Sequence, residues 1–357
     1  MIPVWMNYIG DEEQSLMIDS INSMRIMEGP VLKEFEDAIR KLLGVKHVIG
    51  TSSGTASLAL ALLGIGIEPG DEVIVPDMTF IATANAPKML GAKVISVPVE
   101  STRPILDINR IDEYITEKTK AIITVDLNGR ISWSKELKEK YASKGIKIID
   151  DACQAFLSGE NGAFCGTQAD IGCFSFGITK TVTTVNGGAV VTNDDTLDDR
   201  MKVIKTQGMK SVFDGDKYYM PGFNFKLPDV LASVGVEQLK KIDEKKEHML
   251  RIDEMYRSGL SDIDEIEFLE SGHHEFRWMT DAMCNNRGEL ITYLKSKNIV
   301  SRPAAPPLHT AEYICRDGDY GTSFCFSNKQ LFLPCGPNQP YENVDRVIDE
   351  VRSYYKK

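Results

Sequence analysis

Three short stretches hold residue types that could do chemistry. Lys180 stands in FSFGITKTVTTVNGGAVVTN, residues 174–193, between two strand-like runs rich in β-branched residues and glycine. That composition makes a poor helix and an ill-suited seat for a solvating charge, although a lysine simply leaving a loop for solvent is the plain alternative. Asp150 and Asp151 close the apolar run of IKIIDDACQAF. Open α/β sheets bind ligands at the carboxyl ends of their strands, so a carboxylate there is placed to meet a cationic group; either Asp alone equally suits a helix cap. In GTSSGTASLALALLG, Gly50 to Thr55 lie between a strand and a helix. Free N–H groups, a positive dipole end and hydroxyls at a helix start bind phosphate, while Ser and Thr there are also ordinary caps. The Gly-Lys-Ser/Thr ending of a P-loop and the dinucleotide G-x-G-x-x-G are both missing.

A phosphate cradle, a strand-end carboxylate and a lysine in a small-residue loop are together what pyridoxal 5'-phosphate chemistry needs. The lysine forms a Schiff base, the carboxylate keeps the pyridine nitrogen protonated so that the ring is an electron sink, and the cradle anchors the phosphate.

The elements that must position these groups alternate. From about residue 45, HVIGT gives way to ASLALALLG, DEVIVP to TFIATANAPKML, and AKVISVPV to INRIDEYIT; AIITVDL, SKELKEKYASKG and IKIID continue the pattern. This predicts βαβ units and an α/β fold, a mostly parallel sheet with helices on both faces. After IGCFSF and GGAVVT the pattern turns helical, first in DDTLDDRMKVIK and then in one long run from about Asp229 to Ser258. The remainder, with FRWMTDAMC, RGELITYLKSKNI and a closing stripe of Val344, Val347, Ile348 and Val351, suits a smaller α+β domain. The expected division is a large cofactor-binding domain over 1–240 and a small C-terminal domain over 241–357, with the N-terminal segment packing on the latter.

A chain of 357 residues is long enough for two packed domains or one large one with an appendage, and a net charge of −11 without a basic run argues against nucleic acid or an anionic membrane as partner. MIPVWMNYIGDEEQSL lacks a basic segment followed by an apolar core, and no later stretch is apolar for the length of a span, so a cytoplasmic protein is expected. The seven cysteines, Cys315 among them, form no C-x-x-C pairs and suit reduced thiols. The five histidines show no metal spacing, with His273 and His274 in a loop, and no metal site is expected.

The chain resembles the DegT-like nucleotide-sugar aminotransferases of the fold-type I pyridoxal phosphate superfamily, whose large domain is aspartate-aminotransferase-like. The resemblance is carried by GTSSGTASLALAL, GDEVIVPDMTFIATANAPKMLGAKVISV, IIDDACQAF, FSFGITKTVTTVNGGAVVTND, GFNFKLPDVLASVGVEQL, SRPAAPPLH and LFLPCGPN, in that order. It implies that Lys180 carries the cofactor and later moves the substrate proton, and that Asp151 partners the pyridine nitrogen. It further implies that Gln154 faces the phenolic oxygen, that Phe80 stacks on the ring, and that Gly54, Thr55 and Ser175 bind the phosphate. Asn224 would reach that phosphate from a neighbouring subunit, so a homodimer with shared sites is implied. Relatives that remove a hydroxyl carry histidine in place of the lysine, so Lys180 favours transamination, with glutamate and 2-oxoglutarate as the donor pair.

RWMTDAMC and SRPAAPPLHTAEY are similar to stretches of perosamine synthases and related 4-keto-6-deoxyhexose 4-aminotransferases. By this resemblance Arg302 meets the nucleotide diphosphate and His309 the hexose, with Trp278 and Lys226 also lining the acceptor site. The chain departs from its relatives at Asp126 and Asn128 in VDLNGR, at Gln207, and at Lys226 after GFNF. These positions bear on which sugar is accepted, and a 3-keto-sugar or cyclitol ketone stays open, as does a non-catalytic cofactor-binding protein. The nucleotide, whether uridine, guanosine or deoxythymidine, is left open too.

Overall fold

The computed structural model describes residues 1–160, 162–211, 217–270, 272, 274–314 and 319–356; His273 and Cys315 lie outside them. The large sheet has seven strands, β1 (His47–Thr51), β2 (Glu72–Pro76), β3 (Lys93–Val97), β4 (Thr119–Val125), β5 (Lys147–Asp151), β6 (Ile171–Ser175) and β7 (Gly188–Thr192). Their spatial order is β1-β7-β6-β5-β4-β2-β3. Only β7 runs against its neighbours, paired antiparallel to both β1 and β6. The other pairings, β6 with β5, β5 with β4, β4 with β2 and β2 with β3, are parallel.

Alternate residues of each strand serve opposite cores, as the two-residue period requires. Val73, Val75, Ala121, Ile123, Ile149 and Val190 pack with Leu58 and Leu60 of α3 (Gly54–Gly64), Ala84 of α4 (Ala82–Met89) and Met201 of α6 (Asp195–Lys205). Ile74, Ile122 and Ile148 point the other way, onto Leu137 and Tyr141 of α5 (Ser134–Tyr141). Ala189 and Val191 share that second face with Leu32, Phe35 and Ile39 of α2 (Pro30–Leu43) and with α7 (Asp229–Lys240). Burial on both faces explains why these strands read as continuous apolar runs.

A second sheet holds four antiparallel strands, β8 (Ile266–Glu267), β9 (Asp281–Cys284), β10 (Arg302–Pro303) and β11 (Gln330–Phe332), in the order β8-β9-β11-β10. Its core joins Ile252 and Tyr256 of α8 (Ile242–Gly259) to Val344, Val347, Ile348 and Val351 of α9 (Tyr341–Tyr355). The N-terminal segment lies on this core through bridges from Ile2 to Ile299 and from Trp5 to Cys335.

Two elements differ from the periodicity. The run from Asp229 is two helices, interrupted at Lys241, whose amine bonds Glu13 of α1 (Asp11–Asn22) at 2.9 Å. The stretch INRIDEYIT forms only a three-residue turn of helix at Ile111–Glu113, because Thr116 and Thr119 close a turn into β4. Ile111 keeps its buried place.

The two sheets meet at residues 127–130. Arg130, fully buried, forms two hydrogen bonds to Asp281 of β9 at 2.9 and 3.1 Å. Gly129 has φ +83°, and a Cβ there would stand 1.9 Å from the Phe276 carbonyl oxygen, so no larger residue fits.

Candidate active site

The strand ends and the second sheet enclose a cavity of about 390 Å3, lined by Gly54, Thr55, Phe80, Asp151, Gln154, Ser175, Lys180, Trp278 and Arg302. Its floor is built from the large sheet. β5 ends on Asp151, which is 6% exposed; its Oδ2 accepts from the Thr83 hydroxyl at 2.7 Å and its Oδ1 from the Cys153 N–H at 3.2 Å. Since the Thr83 proton goes to Asp151, the Thr79 hydroxyl, 2.7 Å away, donates to Thr83. No cation pairs with Asp151 among the described residues. A buried carboxylate that faces a cavity unpaired suits a protonated ring nitrogen.

The helix start is equally tied to its neighbours. Ser53 caps α3 by accepting from the Ala56 N–H at 3.1 Å, leaving Thr55 at the open first turn. A Cβ on Gly54 would meet Ser175 Cβ at 2.8 Å and Cys153 Sγ at 2.9 Å, so glycine is what lets the helix reach the end of β6. The cradle that results, two backbone positions and the Ser175 hydroxyl, fits a phosphate.

Lys180 enters from the loop between β6 and β7. Its Nζ lies 3.7 Å from the centroid of the Trp278 ring. Burial lowers its ammonium to about 8, against the pull of Cys153 and Asp151, so a minor share of the amine, about a tenth at pH 7, is neutral. Gln154 accepts the Asn128 N–H at its Oε1 (3.0 Å), which leaves its amide nitrogen for the cavity. Phe80 presents a ring that is 60% exposed. Arg302 stands 5.7 Å from the Trp278 centroid and 5.0 Å from that of Phe332, and desolvation lowers its pKa. No carboxylate pairs with it among the described residues, which leaves its charge available to an anion.

Three expected site residues stand off this cavity. Asn224 is exposed and Lys226 half-buried on the segment before α7. His309 is pinned elsewhere: its Nδ1 is 2.7 Å from Asp77 Oδ2, its N–H donates to Asp77 Oδ1 at 2.8 Å, and its ring stacks on Tyr320 at 4.4 Å. Pro303 to Ala305 line the cavity, and His309 does not. Thr79 and Thr83 were not singled out by sequence; the signal would have been two hydroxyl residues four apart beyond the end of β2. In the sequence Asn128 stands out only as a departure from the relatives. It adopts φ 55°, and its side chain exchanges two bonds with the Met279 backbone, at 2.8 and 2.7 Å.

No group of described residues forms a metal site, and no helix among them is long and apolar enough to cross a membrane. A seven-stranded α/β sheet with lysine, carboxylate and phosphate cradle converging on its strand ends defines a fold-type I pyridoxal phosphate enzyme. Residues 7–352 match the DegT/DnrJ/EryC1/StrS aminotransferase family, and the chain belongs to it. Members of this family are pyridoxal phosphate dependent nucleotide-sugar transaminases.

Similar proteins include the GDP-perosamine synthase of Caulobacter vibrioides, 34% identical over 90% of this chain and 89% of that one. The dTDP-3-amino-3,4,6-trideoxy-alpha-D-glucose transaminase of Micromonospora megalomicea is 27% identical, over 96% and 95%. Among solved structures, DesV of S. venezuelae in complex with a ketimine intermediate superposes with a TM-score of 0.91 at 29% identity, covering 97% of this chain and 95% of that one.

Proposed function

We propose that the protein transfers the amino group of glutamate to the keto group of a nucleotide-linked 4-keto-6-deoxyhexose, giving a 4-amino-4,6-dideoxy sugar nucleotide. The observation that carries this reading is that Lys180, Asp151 and the start of α3 line one cavity together with the unpaired Arg302. Similarity to the perosamine synthase supports the 4-position. Similarity to the 3-amino-sugar transaminase favours a second reading, amination at the 3-position.

Pyridoxal phosphate, when bound, supplies an aldehyde that takes up an amino group and a ring that delocalises the electrons of a broken C–H bond. The chain's own groups do the rest. The Gly54 and Thr55 backbone and the Ser175 hydroxyl hold the phosphate at the dipole end of α3. Asp151, oriented by Thr83, keeps a proton on the ring nitrogen. Gln154 meets the phenolic oxygen and Phe80 covers the ring face. Lys180, whose amine burial makes partly neutral, takes the proton from the donor's α-carbon and returns one to the sugar carbon, which fixes the stereochemistry. Arg302 binds the nucleotide diphosphate, with Trp278 beside it as the wall of the acceptor site.

The working unit in this reading is a homodimer in the cytoplasm. Asn224 crosses to the partner's phosphate site, and Lys226, two residues on, enters the same acceptor region. The exposure of Phe80, Ile178 and Phe223 supports a covering subunit. By the resemblance His309, whose ring Asp77 orients, is the proposed contact to the hexose. Purified protein given pyridoxal phosphate, glutamate and a panel of nucleotide-linked 4-keto and 3-keto sugars tests the proposal. Amine should form from 4-keto-6-deoxyhexoses. Amine only from 3-keto sugars moves the assignment to the second reading, and none from either rejects a sugar acceptor.

A further inference from the structure

The loop that carries Lys180 runs from the end of β6 to the start of β7 without a strand ladder of its own. Its carbonyl groups are held by side chains from distant parts of the chain. The Asn7 amide donates to the Ile178 carbonyl at 3.2 Å and to that of Lys180 at 2.7 Å. The Trp278 indole N–H donates to Thr179 at 2.6 Å, and the Lys245 ammonium to Thr181 at 3.0 Å. Four successive carbonyls, 178 to 181, thus hang on three donors from the N-terminal segment, the approach to β9, and α8.

Lys245 is the least expected of the three. It is 5% exposed, and its remaining contacts are the Gln238 side-chain oxygen and Asn7 Oδ1 at 3.5 Å. No carboxylate bonds it among the described residues: Glu13 accepts instead from Gln238 Nε2 at 2.8 Å and from Lys241 at 2.9 Å. A buried ammonium with only neutral acceptors gives up much of its hydration, and Met or Leu would fill the space without that loss. The chemistry gained by having a lysine there is a donor aimed at the Lys180 loop.

We infer that Lys245 and Asn7 are positioning residues that fix the backbone on either side of Lys180, so that its Nζ stays over the Trp278 ring and faces the cavity. This rests on Lys180 being the residue that carries the cofactor. Displacing a reacting group by about 1 Å costs on the order of a hundredfold in rate, so two residues anchoring three carbonyls are enough to matter. Neither residue lines the cavity, so binding should be spared.

The test uses full-length Lys245→Met and Asn7→Ala proteins beside wild type. Three quantities are read: the rate at which cofactor-free protein captures added pyridoxal phosphate, followed by growth of the visible band; kcat; and KM for glutamate. Borohydride reduction and peptide mapping of the wild-type holoenzyme accompany them. We expect capture and kcat to fall about tenfold in each variant while KM stays within about twofold. Capture and kcat within about twofold of wild type overturn the inference, whatever happens to the melting temperature, because a merely structural strut would alter stability alone. Should Lys245→Met fail to fold, Asn7→Ala decides by the same criterion. A reduced adduct on Lys180 with unmoved rates removes the clamp only, whereas an adduct on another residue removes the site assignment and the clamp together.

Discussion

The wall of the cavity built by the large sheet and the wall built by the small one hold their polar groups in different ways. On the first, Asp151 is fixed at a strand end by Thr83 and by the Cys153 N–H, and Gly54 is wedged against Ser175 and Cys153. On the second, Arg302 reaches in on a long side chain from an exposed two-residue strand, with a thioether 3.3 Å away and aromatic rings for company. The first wall has backbone for its framework and leaves its groups little freedom. The second leaves a guanidinium free to fit an anion. Under the proposed function this contrast assigns the two halves of the reaction to different walls: cofactor chemistry needs fixed partners, and acceptor choice needs adjustable ones.

Substitutions separate the walls by the size and kind of their effects. The largest is expected at Lys180, the group that joins them. Lys180→Ala should leave a folded protein whose turnover is below about one part in ten thousand of wild type, measured as amine formed from glutamate and the ketosugar. Normal activity in that protein would place the carrying amine elsewhere. Asp151→Asn comes next. Without a carboxylate the ring nitrogen loses its proton and the electron sink, so kcat should fall about a thousandfold while KM for the sugar hardly moves. A loss smaller than tenfold would break the claim that the large-sheet wall carries the chemistry.

Arg302→Ala probes the opposite wall and should invert that pattern. If Arg302 meets phosphate oxygens as proposed, its loss should raise KM for the nucleotide sugar about thirtyfold, and the half-reaction with glutamate, followed by bleaching of the visible band, should stay within about threefold. If the glutamate half-reaction slows as much as the sugar half-reaction, Arg302 serves the donor carboxylate too, and the walls are not divided as described.

The two walls were also unequally legible in the sequence. The end of β5 and the start of α3 are local features: an apolar run stopping at Asp150 and Asp151, and Gly with hydroxyl residues opening an apolar helix. Local patterns of period and composition suffice to read them. The position of β7 between β1 and β6 depends on a strand reversal that periodicity does not encode. The break at Lys241 is absent from the helical stripe, for no Gly or Pro marks it and its partner, Glu13, is remote. His309 lies in a motif, yet Asp77, more than two hundred residues away, decides where its ring goes. Asn128 reads as a plain substitution, and only the fold shows that it pairs with the Met279 backbone, steadying the junction of the sheets beside Trp278. Contacts far apart in the chain are what the sequence leaves dark.

Trp278 gives the smallest effect and the sharpest reading of the comparison, because it belongs to one wall and acts on the other. Its ring is a surface for Lys180 Nζ, and its indole N–H holds the Thr179 carbonyl of the lysine loop. Phenylalanine keeps an aromatic face and loses the donor. One neutral hydrogen bond is worth about 1 kcal/mol, so Trp278→Phe should lower kcat about fivefold with both KM values near wild type. Loss of more than a hundredfold would mean that the indole face itself takes part in seating the reacting groups, which would make the small-sheet wall a partner in the chemistry. An unchanged kcat would mean that Asn7 and Lys245 hold the loop without it, and that the division between fixed floor and adjustable wall runs cleanly through this residue.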